Sequence, residues 1–438
     1  MANDGSHDDG SPEDHESSPT VGFRDTTGDL GLHESLGERL LGALLDRAHL
    51  MPPRLVGPLV AQELTHAGAS EVSIHLQDLD QVTLQPVEGR GLVGDGEPID
   101  GSTIGTAFAT DQPIEVAVPG GVRLHLPMLD GSDRVGVLSF TLPAVGAHDR
   151  RLAQRVAGLV ADLVVTKDDY TDTFMHVRTT QELGLAAQLQ RQSLPPLAMT
   201  TPDVDLSGAL EPAYEVGGDS FDYAVNKHVL HLLALDAMGH GLEAATMATV
   251  VLAAYRHGRR RDLSLVELYA ETDRAVAAMF PGKFATAHLA RLDLRAGELT
   301  WVNAGHPPAL WVRDGAVIGE LTGPVSRPIG FGGGEPHVQS HQLEQGDRLL
   351  FFTDGVVEER LDGGEQFGEK RLREVLEQTT TEGLQAAETV RRLSHALTAA
   401  RRGRTSDDAS LLLVEWKAPP RDDELSPDIP ESRPESRA

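Results

Sequence analysis

The hydrophobic pattern divides the chain into a helical start, a run of strands, a second helical stretch and a longer run of strands. Leu40, Leu41, Leu44 and Leu45 recur at spacings of three and four residues, which predicts an amphipathic helix. The later segments "VRLHLPMLD" and "VGVLSFTLP" alternate as half-buried strands do, and "GSTIGTAFAT" predicts a small helix before them. Residues 36–147 are therefore predicted to form one α/β domain.

Helical spacing returns in residues 148–195, which we interpret as a helical linker. The hydrophobic positions that share one face are Leu152, Val156, Leu159, Val160 and Leu163. Prolines at 195 and 196 end the pattern. Such a helix can pack on its own domain or pair with its copy in a homodimer, and both arrangements stay open.

Residues 196–417 predict many strands and one very apolar helix, "GLEAATMATVVLAAYRHGRRR". Strand-like segments include "HVLHLLALD", "RLLFFTDG" and "ASLLLVEW". Short turns such as Asn226-Lys227 join neighbouring strands, which favours antiparallel sheets. The predicted fold class is α+β, with a C-terminal antiparallel β-sandwich flanked by helices.

Composition narrows the function classes. The chain has 438 residues, and 38 Lys and Arg against 67 Asp and Glu give a net charge of −29, which argues against nucleic acid and anionic membrane as partners. The acidic ends, residues 1–35 and 418–438, are predicted to be disordered. The absence of cysteine excludes disulfides, thiolate zinc sites and a cysteine nucleophile. With no signal peptide or long apolar span, we expect a cytoplasmic protein.

Aspartates stand at the ends of several predicted strands in the second half: Asp219, Asp236, Asp354 and the pair Asp407 and Asp408. A carboxylate at the mouth of a buried strand is costly unless it is paired or metal-bound. Oxygen ligands without histidine or cysteine favour Mg²⁺ or Mn²⁺ over Zn²⁺. Two such ions would supply a water nucleophile without any covalent residue.

The motifs around these aspartates resemble those of a known family. The segments "EVGGDSFDY", "DAMGHGLEAA", "NAGHPPAL", "FFTDGVVEER", "FGEKRL" and "DDASLLLVEW" follow the order found in PPM metal-dependent protein phosphatases, and most resemble the SpoIIE-like, RsbU-like branch. The resemblance covers residues 180–416. It implies a Mn²⁺- or Mg²⁺-dependent hydrolase that dephosphorylates a phosphoserine or phosphothreonine protein. The family's usual substrate is a phosphorylated STAS-domain anti-anti-sigma factor, which implies signal transduction through sigma factor regulation.

The resemblance also implies roles for individual residues. The implied catalytic and metal-binding positions are Asp219, Asp236, the backbone carbonyl of Ala237, Asp354 and Asp407. Asp408 and Asp222 are weaker candidates that would support the ligands. His240 would either polarise a leaving oxygen or serve as a structural histidine, with the structural role favoured. Asn303, Gly305 and His306 would shape the fold near the site.

One departure from the family pattern concerns Ser220, which stands directly after Gly-Gly-Asp where the family usually has an aromatic residue. The same serine replaces the glutamate that a Gly-Gly-Asp nucleotide cyclase requires, so a cyclase is disfavoured. A non-catalytic scaffold that binds a signalling partner remains the other alternative.

Two further features have open interpretations. Residues 36–147 resemble a GAF domain through "GSTIGTAFATDQPIEV" and the strand pair that follows, with a PAS-like sensor as the alternative. Such a domain would bind a small ligand or serve in dimerisation or protein docking. The basic run of Arg256, Arg259, Arg260 and Arg261 would be either a solvated helix end or a docking site for an acidic phosphoprotein.

Overall fold

The computed structural model describes residues 36–48, 50–131, 133–211, 217–357, 368–401 and 408–417. Both termini predicted to be disordered, residues 1–35 and 418–438, lie outside these residues. Asp407, one of the predicted metal ligands, also lies outside them. Within the described part of the chain, no helix is long and apolar enough to span a membrane.

A six-stranded antiparallel sheet with helices on both faces forms the front unit, and α3 (Thr103–Thr110) packs on the face opposite to the other helices. Its helices are α1 (Leu36–Ala48), α2 (Val56–His66), α3 (Thr103–Thr110), α4 (Ala147–Asp168) and α5 (Thr173–Arg178). Its strands are β1 (Ser70–Gln77), β2 (Thr83–Pro86), β3 (Glu97–Pro98), β4 (Ile114–Val118), β5 (Gly121–Asp130) and β6 (Asp133–Leu142). The strand order is β3-β2-β1-β6-β5-β4.

Helix α4, which the sequence pattern assigned to a linker, packs on the front unit. Its residues Val156, Val160 and Val164 are buried in the same core as Leu44 of α1 and Ile74 of β1. The helical face predicted from the sequence therefore packs against the front unit of the same chain. Pairing of this helix in a homodimer stays a prediction that would have to use another face.

The C-terminal unit begins with a short helix, α6 (Leu185–Ser193), and is a sandwich of two antiparallel sheets. One sheet has the order β15-β12-β11-β10-β9, from the strands β9 (Gly217–Asn226), β10 (Val229–His240), β11 (Ala285–Asp293), β12 (Glu298–Ala304) and β15 (Val338–Gln342). The other has the order β14-β13-β16-β17-β8-β7, from the strands β7 (Ala198–Thr200), β8 (Val204–Glu211), β13 (Leu310–Arg313), β14 (Ala316–Glu320), β16 (Arg348–Phe352) and β17 (Ala409–Trp416).

Side chains from both sheets fill the space between them, with Phe221 and Trp301 from one sheet against Phe351 and Leu412 from the other. The helices are α7 (Gly241–Arg260), α8 (Leu265–Met279), α9 (Asp354–Val357), α10 (Gly368–Thr381) and α11 (Ala386–Arg401). Helices α7 and α8 cover the outer face of the first sheet, and α10 and α11 cover that of the second. This layering confirms the predicted antiparallel sandwich flanked by helices.

The sequence analysis missed helix α8, although a local signal for it exists. Ser264 and Glu267 form a capping box, in which the serine hydroxyl accepts from the Glu267 backbone N–H and the glutamate accepts from the serine. A serine followed three residues later by glutamate and then by a hydrophobic run is a helix start signal that can be read from sequence.

Candidate active site

Two predicted metal ligands face each other across neighbouring strands. Asp219 on β9 is paired in register with Asp236 on β10. Asp354 follows β16 after Thr353 and is the first residue of α9, and Asp408 directly precedes β17; both strands belong to the opposite sheet. The four aspartates therefore lie on or next to four strands, two in each sheet. Like charges placed directly opposite on a sheet are destabilising, so this arrangement needs a compensating interaction.

The charges around Asp219 indicate which compensating interaction would fit there. Its side chain is only 2% exposed. Burial raises the pKa of Asp219 well above its usual range, and the negative charges of Asp408, Asp236 and Asp354 raise it further. A divalent cation would reverse all of these effects, because it stabilises the charged form of each carboxylate. The donor set consists of hard oxygens, which fits Mg²⁺ or Mn²⁺.

The described residues do not by themselves complete a metal site: none of their histidine, aspartate and glutamate side chains form a group of three arranged to hold an ion. Asp407 is not among these residues. The carboxylates thus come within electrostatic reach of one another without ligand geometry. Their charges, and not their distances, are the evidence for a cation.

Thr353 connects the strands that carry the aspartates, and the sequence analysis did not identify it. This threonine is fully buried. Its hydroxyl donates a hydrogen bond to Oδ2 of Asp219 and accepts one from the Ser410 backbone N–H at 2.8 Å. The backbone N–H of Asp219 in turn donates to Oδ2 of Asp408 at 2.6 Å. Asp219 is thereby fixed to the ends of β16 and β17.

The double glycine before Asp219 is required by close approach. A Cβ at Gly217 would lie 1.7 Å from Oδ1 of Asp408, and a Cβ at Gly218 would lie 2.0 Å from the carbonyl oxygen of Ala237. No side chain fits at either distance. The glycines therefore bring the Asp219 backbone against two of the predicted site residues.

Helix α6 also reaches the site, through a residue that the sequence analysis did not single out. The side-chain amide of Gln190 donates to the main-chain carbonyl oxygen of Asp219. Gln190 is buried, so this contact is part of the packed structure. The segment before the sandwich thus touches the backbone of a predicted metal ligand.

Asp222, a weaker candidate, has a different environment. It is 1% exposed and forms ion pairs with Arg256 and Arg259 of α7, each at 2.7 Å. Two arginines of the basic run are therefore used inside the protein. Arg261 pairs with Glu271 at 3.4 Å. The hypothesis that this basic run docks an acidic phosphoprotein is weakened, because two of its four arginines are already paired with Asp222.

The histidines of the predicted motifs differ in burial. His240 is exposed at the end of β10, and both roles considered for it stay predictions. His306 is buried, and burial lowers its pKa well below the usual range. The Asn303 side chain closes the turn before it, accepting from the His306 N–H at 2.8 Å and donating to the His306 carbonyl at 2.9 Å. That contact agrees with the predicted role of the Asn-Ala-Gly-His motif in shaping the fold.

The sequence of this half matches a known family. The model of the family described as "Stage II sporulation protein E (SpoIIE)" matches residues 226–417. Residues 226–417 are therefore similar to a SpoIIE-type domain. The match begins after Asp219, so the role of this aspartate as a metal ligand stays a prediction.

Curated relatives agree with the SpoIIE-type assignment. Phosphoserine phosphatase RsbP of Bacillus subtilis is 30% identical over 189 residues, which cover 42% of this chain and 46% of RsbP. Phosphoserine phosphatase RsbU of the same organism is 24% identical over 195 residues, which cover 42% of this chain and 55% of RsbU. The chain thus spans about half the length of these two relatives.

Solved structures with similar domains include the RsbU and RsbW domains of a Mycobacterium tuberculosis protein, at 28% identity and a TM-score of 0.45. That similarity covers 52% of this chain and 64% of the other. The SiaA-PP2C domain of Pseudomonas aeruginosa has 23% identity and a TM-score of 0.45, covering 53% of this chain and 94% of the other. Both TM-scores are low, so the similarity to the SpoIIE family rests on the sequence matches.

Proposed function

We propose that this protein is a metal-dependent serine/threonine protein phosphatase. The observation that carries the proposal is the buried Asp219, whose charge is disfavoured by Asp236, Asp354 and Asp408 at the meeting edge of two sheets. Buried carboxylates that repel one another are retained where a cation binds them. The SpoIIE-type assignment and the relatives' names as phosphoserine phosphatases support the same activity.

In this proposal the metal ligands are Asp219, Asp236, the carbonyl of Ala237, Asp354 and Asp407, with two Mn²⁺ or Mg²⁺ ions. Bound divalent ions supply Lewis-acid stabilisation of a phosphoryl group and lower the pKa of an attacking water. Thr353 holds the Asp219 carboxylate in one orientation. Asp408 holds the backbone of Asp219 and adds negative charge to the site.

The substrate we propose is a phosphorylated STAS-domain protein, and the front unit is proposed to be a GAF-like domain that controls the enzyme. The resemblance of the sequence motifs to the RsbU-like branch supports a place in sigma factor regulation. The antiparallel sheet flanked by helices is compatible with a GAF-like or a PAS-like domain. The ligand of such a domain and the direction of its control are left open.

The alternative from another class is a scaffold that binds the phosphoprotein without turnover. One experiment separates the two: hydrolysis of p-nitrophenyl phosphate by the full chain with Mn²⁺ and with EDTA, compared with Asp354→Asn. The matched control is Asp314→Asn, the same chemical change at an exposed turn whose positive φ suits asparagine.

We expect metal-dependent turnover in the native chain and in Asp314→Asn, and its loss in Asp354→Asn. A phosphorylated STAS-domain protein should then be dephosphorylated by the native chain but not by Asp354→Asn. Turnover in EDTA, or equal turnover in Asp354→Asn, would contradict the metal site. Binding of the phosphoprotein with no phosphate released by any of the three proteins would favour the scaffold.

A further inference from the structure

A buried group of charges joins the front unit to helix α11 of the phosphatase domain. Arg134 of β6 and Glu388 of α11 are each 4% exposed, and Nη1 of the arginine donates to Oε2 of the glutamate at 3.2 Å. Within the front unit, the same guanidinium holds the carboxylate of Asp111 at 2.8 and 3.0 Å. Arg134 thus connects a loop of its own unit to a helix of the other.

A second pair crosses the same boundary in the opposite sense. Arg391 of α11 is 4% exposed and donates from Nη2 to Oδ1 of Asp100 in the front unit at 2.8 Å. It also donates from Nε to Oε2 of Glu388 at 2.9 Å. Glu388 therefore lies between two guanidinium groups that come from different units. We call Asp100, Asp111, Arg134, Glu388 and Arg391 the interdomain ion cluster.

Alternating charges make this contact specific. Buried ion pairs add little net stability, but removing one partner is strongly unfavourable, so the buried Arg134–Glu388 pair favours one arrangement of the two units. The Asp100–Arg391 pair is more exposed and adds charge complementarity. Each unit contributes charges of both signs to the interdomain ion cluster. The surface of α11 is therefore complementary to the front unit, and a shift of one unit along the other would separate Glu388 from Arg134.

The same helix also contacts the end of β8, the strand that precedes Asp219 along the chain. The Ser394 hydroxyl of α11 donates to Glu211, the last residue of β8, and Thr398 donates to the same carboxylate at 3.3 Å. Residues 212–216 connect Glu211 to the double glycine before Asp219, and residues 402–407 connect α11 to Asp408. The helix thus contacts the front unit through Glu388 and Arg391, and the end of β8 through Ser394 and Thr398.

We infer that the face of α11 formed by Glu388 and Arg391 is the docking surface for the front unit, and that docking sets the arrangement of Asp219 and Asp408. The second half of this inference rests on the proposed metal site. The first half concerns only how the two units associate, so it is tested without metal or turnover.

The docking test is hydrogen exchange of backbone amides in the full chain, with Asp100→Lys as the main variant. The Asp100 side chain is 72% exposed, so lysine is tolerated there, but its charge repels Arg391. Arg134→Met breaks the other crossing pair. The control is Arg150→Met, which removes an exposed ion pair with Glu115 inside the front unit.

We expect exchange in α11 to rise by about tenfold in both variants and to stay unchanged in the control. Exchange in the core strands β1 and β6 reports whether the front unit is still folded. If Arg134→Met unfolds the front unit, only the result for Asp100→Lys tests the docking. Unchanged exchange in α11 of a folded Asp100→Lys protein would overturn the docking.

The coupling test is the dissociation constant of Mn²⁺ in the same full-length proteins, measured by calorimetry. We expect Asp100→Lys to change it by about fivefold, with no change in Arg150→Met. An unchanged constant together with faster exchange in α11 would overturn the coupling and keep the docking. If the native chain binds no Mn²⁺, the metal-dependent function and the coupling both fail, while the exchange result still stands.

Discussion

Asp219 and Asp222 lie on the same strand and both are almost fully buried, but the charged groups around them have opposite signs. Two arginines of α7 hold Asp222 at 2.7 Å. Asp219 instead shares its surroundings with carboxylates whose charges raise its pKa. One buried charge is neutralised by the protein itself. The other receives a hydrogen bond from Thr353, which does not offset its burial and the neighbouring negative charges.

This difference separates a structural aspartate from a functional one on physical grounds. Pairing with Arg256 and Arg259 ties β9 to the helix that covers its sheet, and it neutralises the charge of Asp222 without an ion. Repulsion at Asp219 reduces the stability of the metal-free fold. Proteins keep such costly positions where the charge does chemistry. The two residues therefore predict opposite responses to the same substitution.

The largest effect is expected from Asp219→Asn on turnover. Loss of a carboxylate ligand should lower kcat for p-nitrophenyl phosphate with Mn²⁺ by more than about 100-fold, since even residues that only orient ligands cost 10- to 100-fold. The free energy of unfolding of the metal-free protein should not fall, because one repelling charge is gone. A variant with near-native turnover would remove Asp219 from the site.

Asp222→Asn is expected to lower stability and to leave metal binding unchanged. It leaves Arg259 buried beside a neutral group, and breaking a buried pair in this way costs about 3 kcal/mol of unfolding free energy. Urea denaturation of metal-free protein measures the loss. The Mn²⁺ dissociation constant of the folded variant should match that of the native chain. A weaker metal affinity without lost stability would show that Asp222 belongs to the active site after all.

The sequence could predict the strands and the aspartates because both leave local signals. Hydrophobic runs such as "RLLFFTD" mark buried strands, and a carboxylate at the end of one conflicts with burial. The same signal could not separate Asp219 from Asp222, since both sit in one motif. The arginines that neutralise Asp222 are 34 and 37 positions further along the chain, and only the folded structure brings them to it.

Thr353, Gln190 and the interdomain ion cluster were missed for a related reason. A threonine before an aspartate has no periodic or compositional signal, and its partner Asp219 is 134 positions away. Arg134 and Glu388 are separated by 254 positions. Contacts of this kind depend on how layers pack, which hydrophobic spacing does not encode.

Thr353 offers a smaller test of how Asp219 is held. Thr353→Val keeps the shape of the side chain and removes the hydroxyl that donates to Asp219. We expect the Mn²⁺ affinity to fall by about tenfold, as it does when a residue that orients a ligand is lost. Calorimetric titration gives the value directly. Thr353→Ser, which retains the hydroxyl, should restore most of the affinity; equal loss in both variants would mean that packing alone is affected.

The smallest effect concerns how stability depends on pH in the absence of metal. The pKa of Asp219 in the folded protein lies above its value in the unfolded chain, so the folded state binds the proton more tightly. Unfolding free energy should therefore fall as pH rises from about 4, the ordinary pKa of aspartate, through the raised pKa. Burial raises the pKa of Asp80 and of Asp133 to about 6, and both add a decline of the same sign.

Asp80 and Asp133 are present in both the native chain and Asp219→Asn, so comparing the two proteins cancels their contributions to the pH dependence. Urea denaturation in EDTA across this pH range should give a shallower decline for Asp219→Asn than for the native chain. Saturating Mn²⁺ should flatten the native curve, because the ion stabilises the deprotonated carboxylates that repel one another without it. Parallel curves for the two metal-free proteins would mean that the charge of Asp219 is balanced in the folded chain, and the contrast with Asp222 would then disappear.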